Sequence, residues 1–328
     1  MKSAQNHSDG PFNCRLRGVS SRGFQRRPNR SFVALIGLVL TALLAMMIGF
    51  TTQAAALTQA VSTAGVTASA PSIAPAVVKA KKSKKKKAKK KKQAKAWNYR
   101  TLRAGNLPGW RSVFSEGFDK AAPLGTFNST YTNFGDYPYG WKDTSKHGTY
   151  HTARTTSVGG GMLNVDMHYD ASLGKYLVAA LLPHMQTMRF GRFDIRMRAQ
   201  AGAGYKVVPL LWPDSDQWPS GGEVDFPETD LDGSSPQAFA HFAQSSGGQN
   251  VFKSGANLAR FTTYTTIWRN GLLRFLVNGH QIGKSTYAVP TTPMHWVMQM
   301  ETAVHDSAPP TDSHGRVQVD WIKAYAPR

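Results

Sequence analysis

Short runs of alternating or continuous apolar residues dominate the chain after Trp97, and Gly, Pro, Asn and Asp separate them. The dominant apolar period is two, and no stretch of twelve or more residues keeps the apolar stripe of a helix. We predict strands at residues 162–167, 191–197, 272–277, 296–300 and 317–325. Asn278-Gly279 lies between two apolar runs and predicts a tight β-hairpin. Many short strands with frequent turns indicate an all-β sandwich or barrel.

The N-terminal part of the chain has a different pattern. Basic residues from Arg15 to Arg30 precede an uncharged apolar run at 32–50, which small residues follow at Ala54-Ala55-Ala56. This order is typical of a secretory signal, although the run is also long enough to remain in a membrane as a signal anchor. The pair Arg26-Arg27 leaves twin-arginine export open. We assign residues 1–56 to a signal peptide or signal anchor and expect a secreted or extracellular protein associated with the cell envelope.

Residues 57–96 form a second region without an apolar pattern. Leu57 to Val78 carries no charge and is rich in Ala, Thr, Ser and Pro, which is typical of a flexible spacer. Twelve lysines follow between Lys79 and Lys95, and such a block of like charge stays extended. It is either a solvated linker or a tether to an anionic cell-wall polymer or membrane surface. No aromatic residue is interleaved to stack on bases, so we do not expect a nucleic-acid partner.

Charge and cysteine content separate this leader from the rest of the chain. The 328 residues carry a formal charge of +21, but residues 1–96 hold 19 basic residues and one acid, which leaves only +3 for residues 97–328. That body is large enough to bury about 70% of its unfolded surface in one core, so we expect a single monomeric domain. Disordered and collagen-like chains are excluded. The only cysteine is Cys14, so the body has no disulfide, cysteine zinc site or thiol nucleophile.

The most informative segment is Trp218-Pro219-Ser220-Gly221-Gly222-Glu223-Val224-Asp225-Phe226-Pro227-Glu228. Three acids on one buried strand repel one another and lose hydration, and such a cost suggests a function. On a regular strand Glu223 and Asp225 share a face, whereas Glu228 points the other way. One extra residue in a bulge at Pro227 brings Glu228 back to that face.

With this bulge, the two glutamate Cα atoms lie roughly 13 Å apart. Their carboxyl groups can approach the ~5 to 5.5 Å separation of a retaining glycosidase. From spacing alone, a solvent-facing acidic strand remains the alternative.

This segment and four others resemble glycoside hydrolase family 16, whose signature is Glu-x-Asp-x-x-Glu after a glycine. The other matching segments are residues 113–119, 190–198, 204–213 and 319–325. The resemblance implies a concanavalin A-like jelly-roll sandwich with an open cleft on its concave sheet. It makes Glu223 the nucleophile and Glu228 the acid/base, while Asp225 orients Glu223 and its charge helps keep the proton on Glu228. Phe190 in place of the usual Tyr, and Asn278 in place of Asp, depart from the pattern.

A sugar-binding cleft needs aromatic platforms with polar groups at their rims. Trp218 and Trp212 flank the acidic strand, and Tyr205 precedes it. His241 resembles a family histidine on the leaving-group side. Gln299 and Glu301 share a face of a predicted strand. We predict that all six side chains bind substrate.

We expect no cofactor for catalysis. The resemblance implies a structural calcium ion in some members of the family, held by an aspartate on the last strand and nearby carbonyls. Asp320 and Gly161 match those positions, so they are the candidate metal ligands.

The sequence therefore predicts a secreted retaining endo-glycosidase that hydrolyses β-1,3- or mixed β-1,3-1,4-glucan. A glucan-binding module without turnover is one alternative, although both glutamates are present. Transglycosylation or action on another polysaccharide, such as a galactan, is the other.

Overall fold

The computed structural model describes residues 98–328, so the predicted signal, the spacer and the lysine tract lie outside the described part. Within residues 98–328, no helix combines the length and the apolar character needed to cross a membrane.

Strands make up most of the described chain, as the period-two pattern predicts. Two one-turn helices, α1 and α2, lie at Phe127–Thr130 and Thr152–Thr155. The first eight strands, β1 to β8, are Trp110–Glu116, Phe134–Asp136, Gly148–Tyr150, Thr156–Gly159, Met162–Asp170, Lys175–Pro183, Gly191–Gln200 and Tyr205–Pro213. The next eight, β9 to β16, are Glu223–Asp230, Gln237–His241, Gln249–Lys253, Thr262–Arg269, Leu272–Val277, His280–Ser285, Met294–Thr302 and His314–Pro327. All five strands predicted from the sequence are confirmed.

The strands form two packed layers. The front layer has the order β11-β10-β9-β8-β15-β6, with β2 beside β6. The back layer has the order β5-β16-β7-β12-β13-β14, with β1 and β4 paired to β16 and β5. Pairing of β5 with β6 joins the layers, and β3 pairs with β6 in parallel. The predicted jelly-roll sandwich is confirmed.

Aromatic side chains fill the core between the layers. Phe226 of β9 packs edge-on against Tyr264 and Phe275 of the back layer, with ring centroids 5.3 and 5.5 Å apart. Trp296 of β15 and Phe193 of β7 make a similar contact at 5.4 Å. Since neighbouring residues of a strand point to opposite faces, a strand that sends Phe226 into this core sends its acidic neighbours outward.

The predicted hairpin joins β13 to β14, with Val277 opposite His280 and positive φ at both Asn278 and Gly279. Residues 98–109, which we term the N-terminal segment, pack against the back layer. The carbonyl of Tyr99 accepts a hydrogen bond from Thr263 of β12, and the carbonyl of Arg103 accepts one from Lys323 of β16. The N-terminal segment thus covers the layer opposite the acidic strand.

Candidate active site

Two glycines place the first acidic residue at the start of β9. Gly222 has φ +71°, and a Cβ there would lie 2.6 Å from Pro290 and 3.1 Å from the carbonyl of His241. A Cβ at Gly221 would lie 2.7 Å from the carbonyl oxygen of Gln217. Only glycine fits this close turn without strain. The turn therefore leads directly into Glu223, with little room for variation in its position.

The bulge expected near Pro227 is present. On β10, Phe239 lies opposite Asp225 and Gln237 lies opposite Glu228, so two steps of β10 span three of β9. The register with β8 shifts in the same place. The extra residue restores Glu228 to the face of Glu223 and Asp225 while Phe226 remains in the core. The sequence therefore predicted both the presence and the position of this irregularity.

The upstream pair of acids, Glu223 and Asp225, lies beside Trp218 and His241. The indole Nε1 of Trp218 donates to Oε2 of Glu223 at 3.0 Å. The Nε2 of His241, on β10, lies 2.9 Å from Oδ2 of Asp225 and 4.0 Å from Oε2 of Glu223. Asp225 is almost fully buried, whereas Glu223 and His241 are partly exposed. Glu223 is thus accessible, and its neighbours fix its orientation.

Glu228 has a different partner, the buried Lys206 of β8. The Nζ of Lys206 donates to Oε1 of Glu228 at 2.7 Å. Lys206 lies in one of the segments that resemble the family, but the sequence alone assigns it no role. A lysine within the apolar strand Tyr205–Pro213 was the available signal, because charged side chains are rarely buried without a partner.

Burial and mutual repulsion raise the pKa values of both upstream acids. Burial raises the pKa of Glu223 well above 4.5; the charge of Asp225 adds to this, and His241 opposes it. Burial also raises the pKa of Asp225 well above 3.8, and the charge of Glu228 adds to it. Each of the two carboxyl groups therefore keeps its proton to a higher pH than an isolated carboxyl group does. Three acids that influence one another in this way lie on one face.

Comparison with known proteins agrees with this geometry. The sequence profile of glycosyl hydrolases family 16 matches residues 128–323, which is more than half of the chain. The chain belongs to glycosyl hydrolases family 16. Members of this family are glycoside hydrolases, and their catalysis needs no cofactor.

Individual relatives are distant. A β-glucanase of Rhodothermus marinus is 29% identical over 136 residues, which cover 38% of this chain and 46% of that protein. The chain thus matches about half the length of this relative. The laminarinase structure from Rhodothermus marinus has a TM-score of 0.55 at 18% identity, over 67% of this chain and 98% of the laminarinase. A non-specific endo-β-1,3(4)-glucanase of the family has a TM-score of 0.55 at 14% identity, over 70% of this chain and 94% of its own. These two structures support the fold.

The aromatic surroundings of the family 16 site agree only partly with the sequence analysis. Trp218 and Trp212 are partly exposed beside the acids, and the Nε1 of Trp212 donates to Asp216 at 2.8 Å. Gln299 of β15 is also partly exposed and is hydrogen-bonded to Tyr137. Sequence reasoning missed Tyr137, because it lies between the short strand β2 and Pro138, where no strand pattern sets the direction of a side chain.

Two predicted sugar contacts need correction. Tyr205 is fully buried in the core. Tyr205 and Lys206 are consecutive residues of β8, so their side chains point to opposite faces of the strand. Tyr205 points into the core and Lys206 points toward the acids. Glu301 is also fully buried, and Tyr150 of β3 donates a hydrogen bond to its Oε1. The shared face with Gln299 predicts a sugar contact for Glu301, and this prediction is wrong because β3 covers that end of β15.

The predicted calcium ligands do not fit a calcium site. Oδ2 of Asp320 accepts a hydrogen bond from Nε of Arg196 at 2.8 Å, so a guanidinium group already neutralises this carboxylate. Gly161 lies in the turn between β4 and β5. Among the described residues, one group could hold a metal ion, namely Glu223, Asp225 and His241, whose ligand atoms lie within 4.8 Å of one another. An ion there would occupy the nucleophile, so we assign it no role in catalysis.

Proposed function

We propose that this protein is an exported retaining endo-glucanase that cleaves β-1,3- or mixed β-1,3-1,4-glucan by double displacement. The observation that carries the proposal is the bulge in β9, which brings Glu228 to the face of Glu223 and Asp225. Two carboxyl groups in different environments on one face are what a retaining mechanism requires, because one attacks while the other transfers a proton.

In the first step, Glu223 attacks the anomeric carbon while Glu228 donates a proton to the departing glycosidic oxygen. In the second step, Glu228 takes a proton from water, and the water oxygen displaces Glu223 from the sugar. The indole N–H of Trp218 orients the attacking carboxylate. Asp225 lies between the two glutamates on β9 and orients Glu223 for attack.

The side chains around the acids indicate the class of substrate. Trp218 and Trp212 offer apolar faces beside the acids, and the polar groups of Gln299 and Tyr137 lie near them, as in many sites that bind a sugar chain. The relatives named above are a β-glucanase, a laminarinase and an endo-β-1,3(4)-glucanase. Their shared substrate class makes glucan the first choice.

A reducing-sugar assay on laminarin, lichenan and agarose, with Glu223→Gln beside the parent, tests the proposal. We expect the parent to release sugar from laminarin, lichenan or both. Proton NMR of the first product should show the β-anomer. Binding without release would favour the glucan-binding module, and release from agarose alone would favour a galactanase. Transfer products at low water activity would indicate transglycosylation, whereas an initial α-anomer would contradict the proposed mechanism.

We further propose that the enzyme is exported and tethered to the cell envelope. The support is the sequence alone: the apolar run at 32–50 and the twelve lysines between Lys79 and Lys95. Retention on isolated cell walls should weaken steeply between low and high salt, because exposed charges are screened. Deleting residues 79–95 should abolish retention and leave hydrolysis of soluble glucan unchanged. Retention that salt does not affect would contradict an electrostatic tether.

A further inference from the structure

Lys206 is a buried cation that directly contacts the proposed acid/base. It lies on β8, whose other residues are Tyr, Val, Pro, Leu and Trp, and it is only 8% exposed. A buried ammonium group is costly unless acidic groups compensate it. An apolar residue at this position would destabilise the sandwich less than a buried charge does, so the charge of Lys206 suggests a function.

The acids around Lys206 keep it charged. Glu228 is at hydrogen-bond distance, Glu301 lies opposite Lys206 on β15, and Asp230 lies opposite it on β9. Burial lowers the pKa of Lys206, but the charges of Glu228, then Glu301 and Asp225, outweigh burial and raise the pKa overall. Lys206 is therefore an ammonium group at neutral pH.

The two reactive glutamates are held by different kinds of donor. Glu223 accepts from the neutral indole of Trp218, and Glu228 accepts from the ammonium of Lys206. Within residues 98–328, Lys206 is the only side chain that hydrogen-bonds to Glu228. A glutamate side chain has three rotatable bonds, so without this contact Glu228 has no polar anchor.

We propose that Lys206 is a positioning residue that holds the carboxyl group of Glu228 for both proton transfers. The inference rests on the proposed function. Lys206 contacts Oε1, which leaves Oε2 for the reaction. In the first step, the proton on Oε2 passes to the glycosidic oxygen as its bond to the anomeric carbon breaks and the bond to Glu223 forms. In the second step, Oε2 accepts a proton from water, and the ammonium stabilises the carboxylate until then.

The test compares Lys206→Met on two substrates that differ in their need for an acid. One is a laminarin oligosaccharide, whose sugar leaving group must be protonated. The other is a β-glucan oligosaccharide with a 2,4-dinitrophenyl aglycone, which leaves unassisted. A displacement of about 1 Å costs about 100-fold, so we expect that loss in kcat on the first substrate. On the second substrate, the rate constant of the initial burst of dinitrophenolate should change by less than about threefold. The burst amplitude also counts folded active sites.

Three further variants separate positioning from a structural role. Lys206→Arg keeps the charge and should recover most of the loss. Lys206→Met in a Glu228→Gln background should add almost nothing to Glu228→Gln alone, because both act through one group. Lys323→Met is the matched control, since Lys323 is a buried lysine of the back layer. It should lower stability and change both substrates by the same factor.

Two results would overturn the inference: equal loss on both substrates for Lys206→Met, or losses that add fully in the double variant. If Lys206→Met does not fold, Lys206→Gln gives the same comparison with a polar, uncharged side chain. The proposed function fails separately. If the proposed function is wrong, Glu228→Gln lowers the rates on the two substrates by the same factor. Glu228 is then not the acid/base, and Lys206 has no acid/base to position.

Discussion

The front and back layers each bury a cluster of charged side chains, and the clusters differ in the sign of neighbouring charges. In the back layer, Asp194 is fully buried, with Arg192 at 2.9 Å and a hydrogen bond from Thr265. Lys323 lies nearby and donates to the carbonyl of Arg103 in the N-terminal segment. In that cluster the acid lies among cations.

In the front layer, by contrast, acid lies beside acid. Glu223, Asp225 and Glu228 share one face of β9, and Lys206 contacts only one of them. A raised pKa alone does not distinguish the two clusters, because burial raises the pKa of Asp194 as well. The neighbouring charges distinguish them: Arg192 lowers the pKa of Asp194, whereas Glu228 raises the pKa of Asp225. Acids that lie beside acids at a cost to stability indicate a catalytic site, whereas an acid that lies among cations indicates a structural role.

The largest expected effect comes from removing the nucleophile. Glu223→Gln should lower turnover at least about a thousandfold, because the covalent step is lost, while the melting temperature stays close to that of the parent. Hydrolysis rates and thermal unfolding of the purified variant measure both. Glu116→Gln is the matched control, since Glu116 hydrogen-bonds to Gly117, Phe118 and Asn133 away from β9. Full activity in a folded Glu223→Gln protein would refute the assignment.

The opposite pattern is expected in the back layer. Asp194→Leu leaves Arg192 and Lys323 buried without their acid, which costs about 3–5 kcal/mol of unfolding free energy. Urea denaturation measures the loss. Activity per folded molecule should stay unchanged, because the cluster lies on the layer opposite the acids. A large fall in kcat at unchanged stability would show that the division between the layers is wrong.

Sequence reasoning succeeded where local pattern decides the structure. Alternation predicted the strands, Asn278-Gly279 predicted the hairpin, and the spacing from Glu223 to Glu228 with Pro227 predicted the bulge. The resemblance then identified the family. None of these features requires knowledge of which strand lies beside which.

It failed where distant segments decide. Glu301 is buried because β3, about 150 residues away, covers it with Tyr150. Asp320 is neutralised because β7 places Arg196 beside it. The partner of Glu228 depends on the register between β8 and β9, which the bulge shifts. Strand order and register are properties of the whole sheet, so no local pattern contains them.

A smaller effect is expected from the donor to the nucleophile. Trp218→Phe keeps an aromatic face but removes the N–H that Glu223 accepts. A hydrogen bond to a charged group contributes about 1.5–3 kcal/mol, so kcat should fall about 10- to 100-fold. Trp212→Phe is the matched control, because it removes an N–H donated to Asp216 instead. It should affect KM more than kcat. Equal kcat losses in the two variants would show that Trp218 acts as a platform only.

The smallest expected effect is a change in how stability depends on pH. The raised pKa values of Glu223 and Asp225 mean that, above about pH 4, this pair binds more protons in the folded protein than in the unfolded chain. The contribution of the pair to the unfolding free energy therefore falls as pH rises through this window, by about 1.4 kcal/mol for each unit of raised pKa. Asp225→Asn removes part of this fall, so its stability relative to the parent should increase from pH 4.5 to pH 7.

Urea denaturation at several pH values measures this difference, and an acid of the opposite kind provides the control. Hydrogen bonds from Ser172 and then Arg154 lower the pKa of Asp170 to about 2, so its contribution is present at neutral pH and is lost as pH falls. Asp170→Asn should therefore lose stability relative to the parent as pH rises from 2 to 4.5, and Asp225→Asn should gain it from 4.5 to 7. Parallel pH curves for the parent and Asp225→Asn would mean that the pKa of Asp225 is not raised in the folded protein. The difference between the layers would then rest on solvent access rather than on like charge.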